Sequence, residues 1–237
     1  MINIGTCVNY LCNPNMLSEN SLGEKKPISV TFCVSGNSFS QGFVHGWTKL
    51  LFLIKDNPDI LEPHLSNIHE EDKTKLMNEL LSGSINKGKH QLPFEDDFDC
   101  DFLFFINSNL SFDSTQVLQI IYKMVKYNLD VLTGVYYEKN SDKIPIVNFQ
   151  DQDGSFIYHT KETLIKSALS STDNIIEVEN MDLNFACVRN KILKYIEYPW
   201  FENNTNQQMS ENNLFIEKIK KSGSKVYCDP TIFVRFD

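Results

Sequence analysis

Asp101 to Ile106 reads as one unbroken strand, in which Phe102-Leu103-Phe104-Phe105-Ile106 leaves no polar position. A strand without polar alternation is buried on both faces, as happens where helices cover both sides of a mostly parallel sheet. Ile28 to Val34 is a second run of β-formers, broken by Ser35-Gly36-Asn37-Ser38, and Val131 to Tyr137 is a third. Helical patterns alternate with them. Phe43, Trp47, Leu50, Leu51 and Ile54 recur at helical spacing behind a Ser40 cap, and Pro58 and Pro63 close that region. Glu70 to Leu81 reads as a short charged helix with Leu76, Leu80 and Leu81 inward, followed by a polar loop over 82–97.

Asp113 with Gln116 three residues later forms a capping box ahead of Val117, Ile120, Ile121 and Met124, the buried face of another helix. Ile144 to Tyr158 reads as a hairpin turning at Asp151-Gln152-Asp153-Gly154, and Leu183 to Val188 as a strand leading into a short helix to Ile196. Ser210 caps a helix that runs to Lys221 and ends at Gly223, and Lys225 to Cys228 is a last short strand. Such alternation predicts an α/β fold: a mostly parallel sheet, helices on both faces and a small β-hairpin insert. The expected organisation is a polar N-terminal extension, 1–27, and a single domain over 28–237.

Sheets of this kind bind ligands beyond the carboxyl ends of their strands. The loops at 35–39, 107–109 and 134–138 are therefore expected to share one crevice. Net charge is −9, and the chain carries two arginines, Arg189 and Arg235, with its lysines scattered. No basic patch answers a nucleic acid, so no nucleic-acid partner is expected. No apolar run approaches the roughly 20 residues of a membrane span, and the start of the chain lacks a signal-peptide pattern. Six cysteines show no paired spacing; Cys33, Cys187 and Cys228 fall within apolar strands, which reads as buried thiols in a reducing, cytoplasmic compartment. The five histidines are isolated.

From Ile28 onward the order of landmarks resembles the GT-A glycosyltransferases, especially the compact kind of phages and large DNA viruses. The resemblance rests on Val30-Thr31-Phe32-Cys33-Val34-Ser35-Gly36-Asn37 with Trp47 behind it, on the strand ending in Asn107-Ser108-Asn109, and on Leu132-Thr133-Gly134-Val135-Tyr136. It continues through Asn184 to Arg189, Pro199-Trp200-Phe201, Ser210-Glu211-Asn212 and the closing segment 225–234. It implies a GT-A, Rossmann-like domain that moves a sugar from a nucleotide-sugar donor (UDP- or GDP-linked) to a hydroxyl of a glycan or protein acceptor. Such enzymes commonly hold Mn2+ or Mg2+ on a D-x-D motif and a late histidine, and inverting members use a carboxylate at an E-D motif as base.

Three of those positions differ here. D-x-D is Asn107-Ser108-Asn109, E-D is Glu211-Asn212, and Phe236 stands where the histidine is expected. The resemblance thus implies weak or no metal dependence, with Asn107 and Asn109 as the weak metal alternative. The usual base of the family is the second position of E-D, here the amide Asn212, so Glu211 is the candidate base, shifted by one position. Ser35, Asn37, Asn107, Ser108, Asn109 and Arg235 fall on the donor side, with the Arg235 guanidinium suited to the diphosphate. Gly134, Tyr136, Trp200 and Phe201 fall on the acceptor side, the last two as a sugar-stacking platform. Asp99-Cys100-Asp101 also spells D-x-D, but it precedes its strand and lies about 20 Å from the carboxyl end. The alternative is a catalytically inactive GT-A shell that binds or scaffolds. An unrelated nucleotide-binding fold is disfavoured because no G-x-G-x-x-G follows the first strand.

Overall fold

In a computed structural model of the chain, the described residues are 7, 11, 26–95, 98–137, 144–150, 156–202 and 210–237, with backbone alone at 147–150, 156 and 172. The expected turn at Asp151 to Gly154, the loop position Glu138, Cys12 and most of 1–27 lie outside them. In chain order the elements are β1 (Ile28–Ser35), α1 (Gln41–Asp56), β2 (Leu61–Asn67), α2 (Lys73–Glu79), β3 (Phe102–Asn107), β4 (Leu110–Ser111) and α3 (Ser114–Lys126). There follow β5 (Val131–Val135), β6 (Ile146–Gln150), β7 (Phe156–Tyr158), α4 (Lys161–Ser170), β8 (Ile176–Glu177), β9 (Asn180–Met181) and β10 (Phe185–Arg189). The described chain ends with α5 (Glu211–Lys221), β11 (Val226–Phe233) and β12 (Arg235–Phe236).

Seven strands form the central sheet in the order β2-β1-β3-β10-β5-β11-β8. β1 pairs in parallel with both β2 and β3, and β11 with β5, whereas β10 runs antiparallel between β3 and β5. Alternate residues of β3 serve two cores: Phe102, Phe104 and Ile106 pack with α1 and α3, and Leu103 and Phe105 with α2 and α5. This two-sided burial is what the unbroken apolar run demanded. The hairpin β6–β7, joined by β9, makes the separate small sheet.

The expected caps are present. Ser40 accepts from the Phe43 amide at 3.1 Å, the Asp113–Gln116 capping box is complete, and Ser210 accepts from the Asn213 amide at 3.2 Å. Gly223 has φ +93°, the left-handed conformation that closes a helix at little cost when no Cβ is present. On α1, Gly42 and Gly46 let the 110–112 segment lie directly on the helix, since a Cβ at Gly46 would stand 2.4 Å from the Phe112 carbonyl oxygen.

Three readings need correction. Pro63 does not close the α1 region; it lies inside β2, an edge strand, where a missing amide donor is tolerated. A helix absent from the sequence reading, α4, follows β7; Thr160 caps it, and only Leu164 and Ala168 are buried along it. The last strand, read as ending at Cys228, runs on to Phe233 in β11. Of the stretch read as extension, Cys7 and Leu11 are fully buried in the α1–α3 core.

Candidate active-site crevice

β1 and β3 end side by side, with Ser35 opposite Asn107, and both turn out of the sheet there. The Ser108 amide donates to the Ser35 carbonyl at 2.8 Å and the Ser40 amide to the Ser108 carbonyl at 2.9 Å, tying the two loops together. Because β10 runs antiparallel, its entry rather than its exit lies at this end, and the Asn107 amide donates to the Asn184 carbonyl at 2.8 Å. The N-terminus of α5 and the start of α2 face these loops. Together they enclose a crevice of about 240 Å3, whose lining includes Ser35, Asn37, Asn107, Asn184, Asn212 and Lys73.

A chain of hydrogen bonds runs along its floor. Asn107 Nδ2 donates to Asn184 Oδ1 at 3.1 Å, and Asn184 Nδ2 donates both to Asp182 Oδ2 at 2.9 Å and to the Tyr136 hydroxyl at 3.2 Å. Asp182 Oδ1 accepts from the Leu183 amide at 2.7 Å and from Asn212 Nδ2. An ionised carboxylate only accepts, so both carboxamides turn their NH2 groups towards it. That orientation leaves Asn212 Oδ1 without a partner, on a residue only 3% exposed that lines the crevice. A buried acceptor without a donor is costly, and such a group marks a place where a ligand or water completes the bond.

Burial raises the Asp182 pKa and the neighbouring Glu211 charge adds to this, while Lys73 and the Asn212 and Leu183 donors act in the opposite direction. Glu211, the first residue of α5, has its side chain 14% exposed and is not itself among the residues lining the crevice, but it forms an ion pair with Lys73, which is. Neither Asp182 nor Lys73 is apparent from sequence reasoning. Asp182 precedes β10 with no motif around it, and Lys73 reads as one more charge on a solvated helix.

The remaining sequence-derived positions divide. Ser35, Asn37 and Asn107 line the crevice. Ser108 is fully buried with Oγ donating to the Ser38 carbonyl at 2.5 Å, and the Asn109 amide donates to Asn107 Oδ1 at 3.0 Å, so both shape the loop. Arg235 is exposed on β12, opposite Ser111, and is not among the residues lining the crevice. Tyr136 is 1% exposed and reaches the site only through its hydroxyl. Gly134 is a packing position, since a Cβ there would meet the Ile232 carbonyl oxygen at 2.9 Å.

The sugar-stacking platform is overturned. Trp200 and Phe201 are both 0% exposed, with Phe201 stacked on Phe215 at 4.4 Å and Trp200 set edge-on to Tyr198 at 5.3 Å. Neither ring has a face free for a sugar. Asp99 and Asp101 are exposed at the opposite end of β3, where Asp101 Oδ2 accepts from the Ser29 amide at 2.9 Å, so the literal D-x-D is a strand entry.

The D-x-D position offers a divalent cation only neutral oxygens. Asn107 Oδ1 is engaged by the Asn109 amide, Ser108 Oγ is bound to the Ser38 carbonyl, and neither amide carries charge. Among the described residues no three of His, Cys, Asp and Glu come together in a way that could hold a metal.

No family model matches the chain, and no curated protein matches it. Solved structures do. A197 from STIV aligns over 86% of this chain and 82% of its own, at 15% identity and a TM-score of 0.49. GalNAc-T7, solved with UDP, GalNAc and Mn2+, aligns over 89% of this chain at 11% identity and a TM-score of 0.53. The chain spans 44% of the length of that GalNAc-T7 chain. The fold is therefore GT-A-like: a mostly parallel Rossmann-like sheet with its crevice at the carboxyl ends of β1 and β3. None of the described helices is long and apolar enough to cross a membrane.

Proposed function

We propose that this chain is a glycosyltransferase that moves a sugar from a UDP- or GDP-linked donor to a hydroxyl of a glycan or protein acceptor. The observation that carries the reading is the unpartnered Asn212 Oδ1. It lines a crevice that also holds Ser35, Asn37 and Asn107, on a GT-A-like fold. An acceptor-only oxygen there calls for a ligand O–H or N–H, which a sugar hydroxyl supplies.

In this reading Ser35, Asn37 and Asn107 contact the donor, while Ser108 and Asn109 hold that loop in shape. Asp182 orients the Asn184 and Asn212 carboxamides. Glu211 takes the proton of the attacking hydroxyl as its oxygen bonds to the anomeric carbon and the nucleoside diphosphate leaves. Reaction without a bound divalent ion is part of the proposal, because the side-chain oxygens at 107–109 are neutral, and those of Asn107 and Ser108 are already hydrogen-bonded. The five described cysteines are free and buried, which suits the reducing conditions of a cytoplasm.

One observation favours a second reading, a GT-A-like shell that binds sugar without transferring it: the base position of the E-D motif is an amide here. Calorimetry with UDP-, GDP- and sugar-linked forms, in manganese and in EDTA, separates the readings when paired with a transfer assay. Binding that survives EDTA, with sugar transfer abolished in Glu211→Gln, is the expected result. Binding only with manganese overturns the metal-free part, and binding without turnover on any donor supports the second reading.

A further inference from the structure

Lys73 is the one basic side chain among the described residues that line the crevice. It is the first residue of α2, and its ammonium is paired with the Glu211 carboxylate on the first turn of α5. The two partners differ in freedom. The Lys73 side chain is 59% exposed and the Glu211 side chain 14% exposed, so the lysine can swing while the carboxylate stays fixed. Glu71 also lines the crevice, while two other acids nearby are already engaged. Glu70 is already satisfied by Lys75 at 2.5 Å and by the amides of Glu71 and Asp72, and Asp182 by three donors.

A diphosphate entering beside Ser35, Asn37 and Asn107 meets one ammonium, and that ammonium is on Glu211. Phosphate oxygens carry more charge and more acceptor positions than one carboxylate, so they draw the ammonium away. We propose that the donor diphosphate and Glu211 compete for Lys73, so that donor entry is the event that frees Glu211 to take a proton. This rests on the transferase reading above. It assigns Lys73 the charge-neutralising role given to Arg235 on sequence grounds, and it makes Lys73 a positioning residue for the base.

The test is calorimetric titration of inorganic pyrophosphate in EDTA at low salt, on the full chain and on Lys73→Met, Lys73→Arg and Glu211→Gln. Circular dichroism confirms that each variant is folded. Loss of the Glu211 charge alone also tightens anion binding, so Glu211→Gln is measured in the Lys73→Met background as well, where competition predicts no gain and independent charges predict the same gain as in the parent. Competition predicts opposite signs: Glu211→Gln binds about 5-fold tighter than the parent, Lys73→Met about 10-fold weaker, and Lys73→Arg close to the parent. Glu211→Gln no tighter than the parent, Lys73→Met unchanged, or the same gain from Glu211→Gln in the Lys73→Met background, overturns the proposal. A sugar-transfer assay on the same proteins keeps the two ideas apart. Transfer by the parent without the opposite signs removes the competition and leaves the transferase. The opposite signs without transfer from any donor keep the anion site and remove the transferase.

Discussion

Asp182 Oδ1 accepts a hydrogen bond from Asn212 Nδ2, so the amide at the second position of Glu211-Asn212 lies against a carboxylate supplied from another part of the chain. An acid at this position, introduced by Asn212→Asp, therefore meets a carboxylate already in place. It sets two carboxylates against each other beside Glu211, and one of them is forced to keep its proton. The folded-state pKa of that group rises above the unfolded value of about 3.9. Its destabilisation is thus fully present above the raised pKa and is relieved as pH falls through it. Each unit of elevation costs about 1.4 kcal/mol. Thermal unfolding of Asn212→Asp against the parent should show a deficit at pH 8 that shrinks by pH 5. An equal deficit at both pH values would mean the two groups do not interact.

The elements that depend on local pattern were legible in the sequence, and the contacts that depend on distant segments were not. β3 was readable because every residue from Phe102 to Ile106 is apolar, and α3 because Asp113 and Gln116 announce it. β2 was missed because Leu61-Glu62-Pro63-His64 has little apolar content and a proline, which only an edge position tolerates. α4 was missed because two buried residues are too weak a helical signal. In the site, Ser35, Asn37 and Asn107 line the crevice because β1 and β3 end there, a position that strand ends make readable. The roles of Asp182 and Lys73 are created by tertiary contacts to α5, which no local spacing encodes. Trp200 and Phe201 misled because aromatic residues after a strand suit a platform and a core equally well.

Asn78 is expected to matter more for folding than any motif suggests. It is 5% exposed; Oδ1 accepts from the Trp200 and Phe201 amides at 3.0 and 3.2 Å, and Nδ2 donates to the Phe201 carbonyl at 2.8 Å. Asn78→Ala strands those backbone groups, and each buried group left unsatisfied costs about 1–3 kcal/mol. A loss of about 3 kcal/mol in urea unfolding is expected. A loss below about 1 kcal/mol would show that the 198–202 segment is held by other means.

Phe201→Ala distinguishes a core residue from a sugar platform. The ring packs against Phe215 and Phe105 and is fully buried, so its removal leaves a cavity and should cost about 3–5 kcal/mol. A stacking residue would give the reverse pattern, with normal stability and weakened ligand binding. Denaturant unfolding beside ligand titration on this one variant separates the two.

Lys123 and Asp229 form an ion pair with side chains 3% and 0% exposed, joining α3 to β11. Lys123 also donates to the Asp173 carbonyl at 2.8 Å, and Asp229 Oδ1 accepts from the Thr231 amide at 2.9 Å and from its hydroxyl at 2.7 Å. Removing one partner leaves a buried charge uncompensated, so Lys123→Met should cost about 3–5 kcal/mol. Replacing both, with Lys123→Met and Asp229→Asn, removes the uncompensated charge while the amide oxygen can still accept from Thr231. The double variant should therefore be more stable than Lys123→Met alone. If it is less stable, the cost lies in the lost hydrogen bonds around Asp229 and the charge itself contributes little.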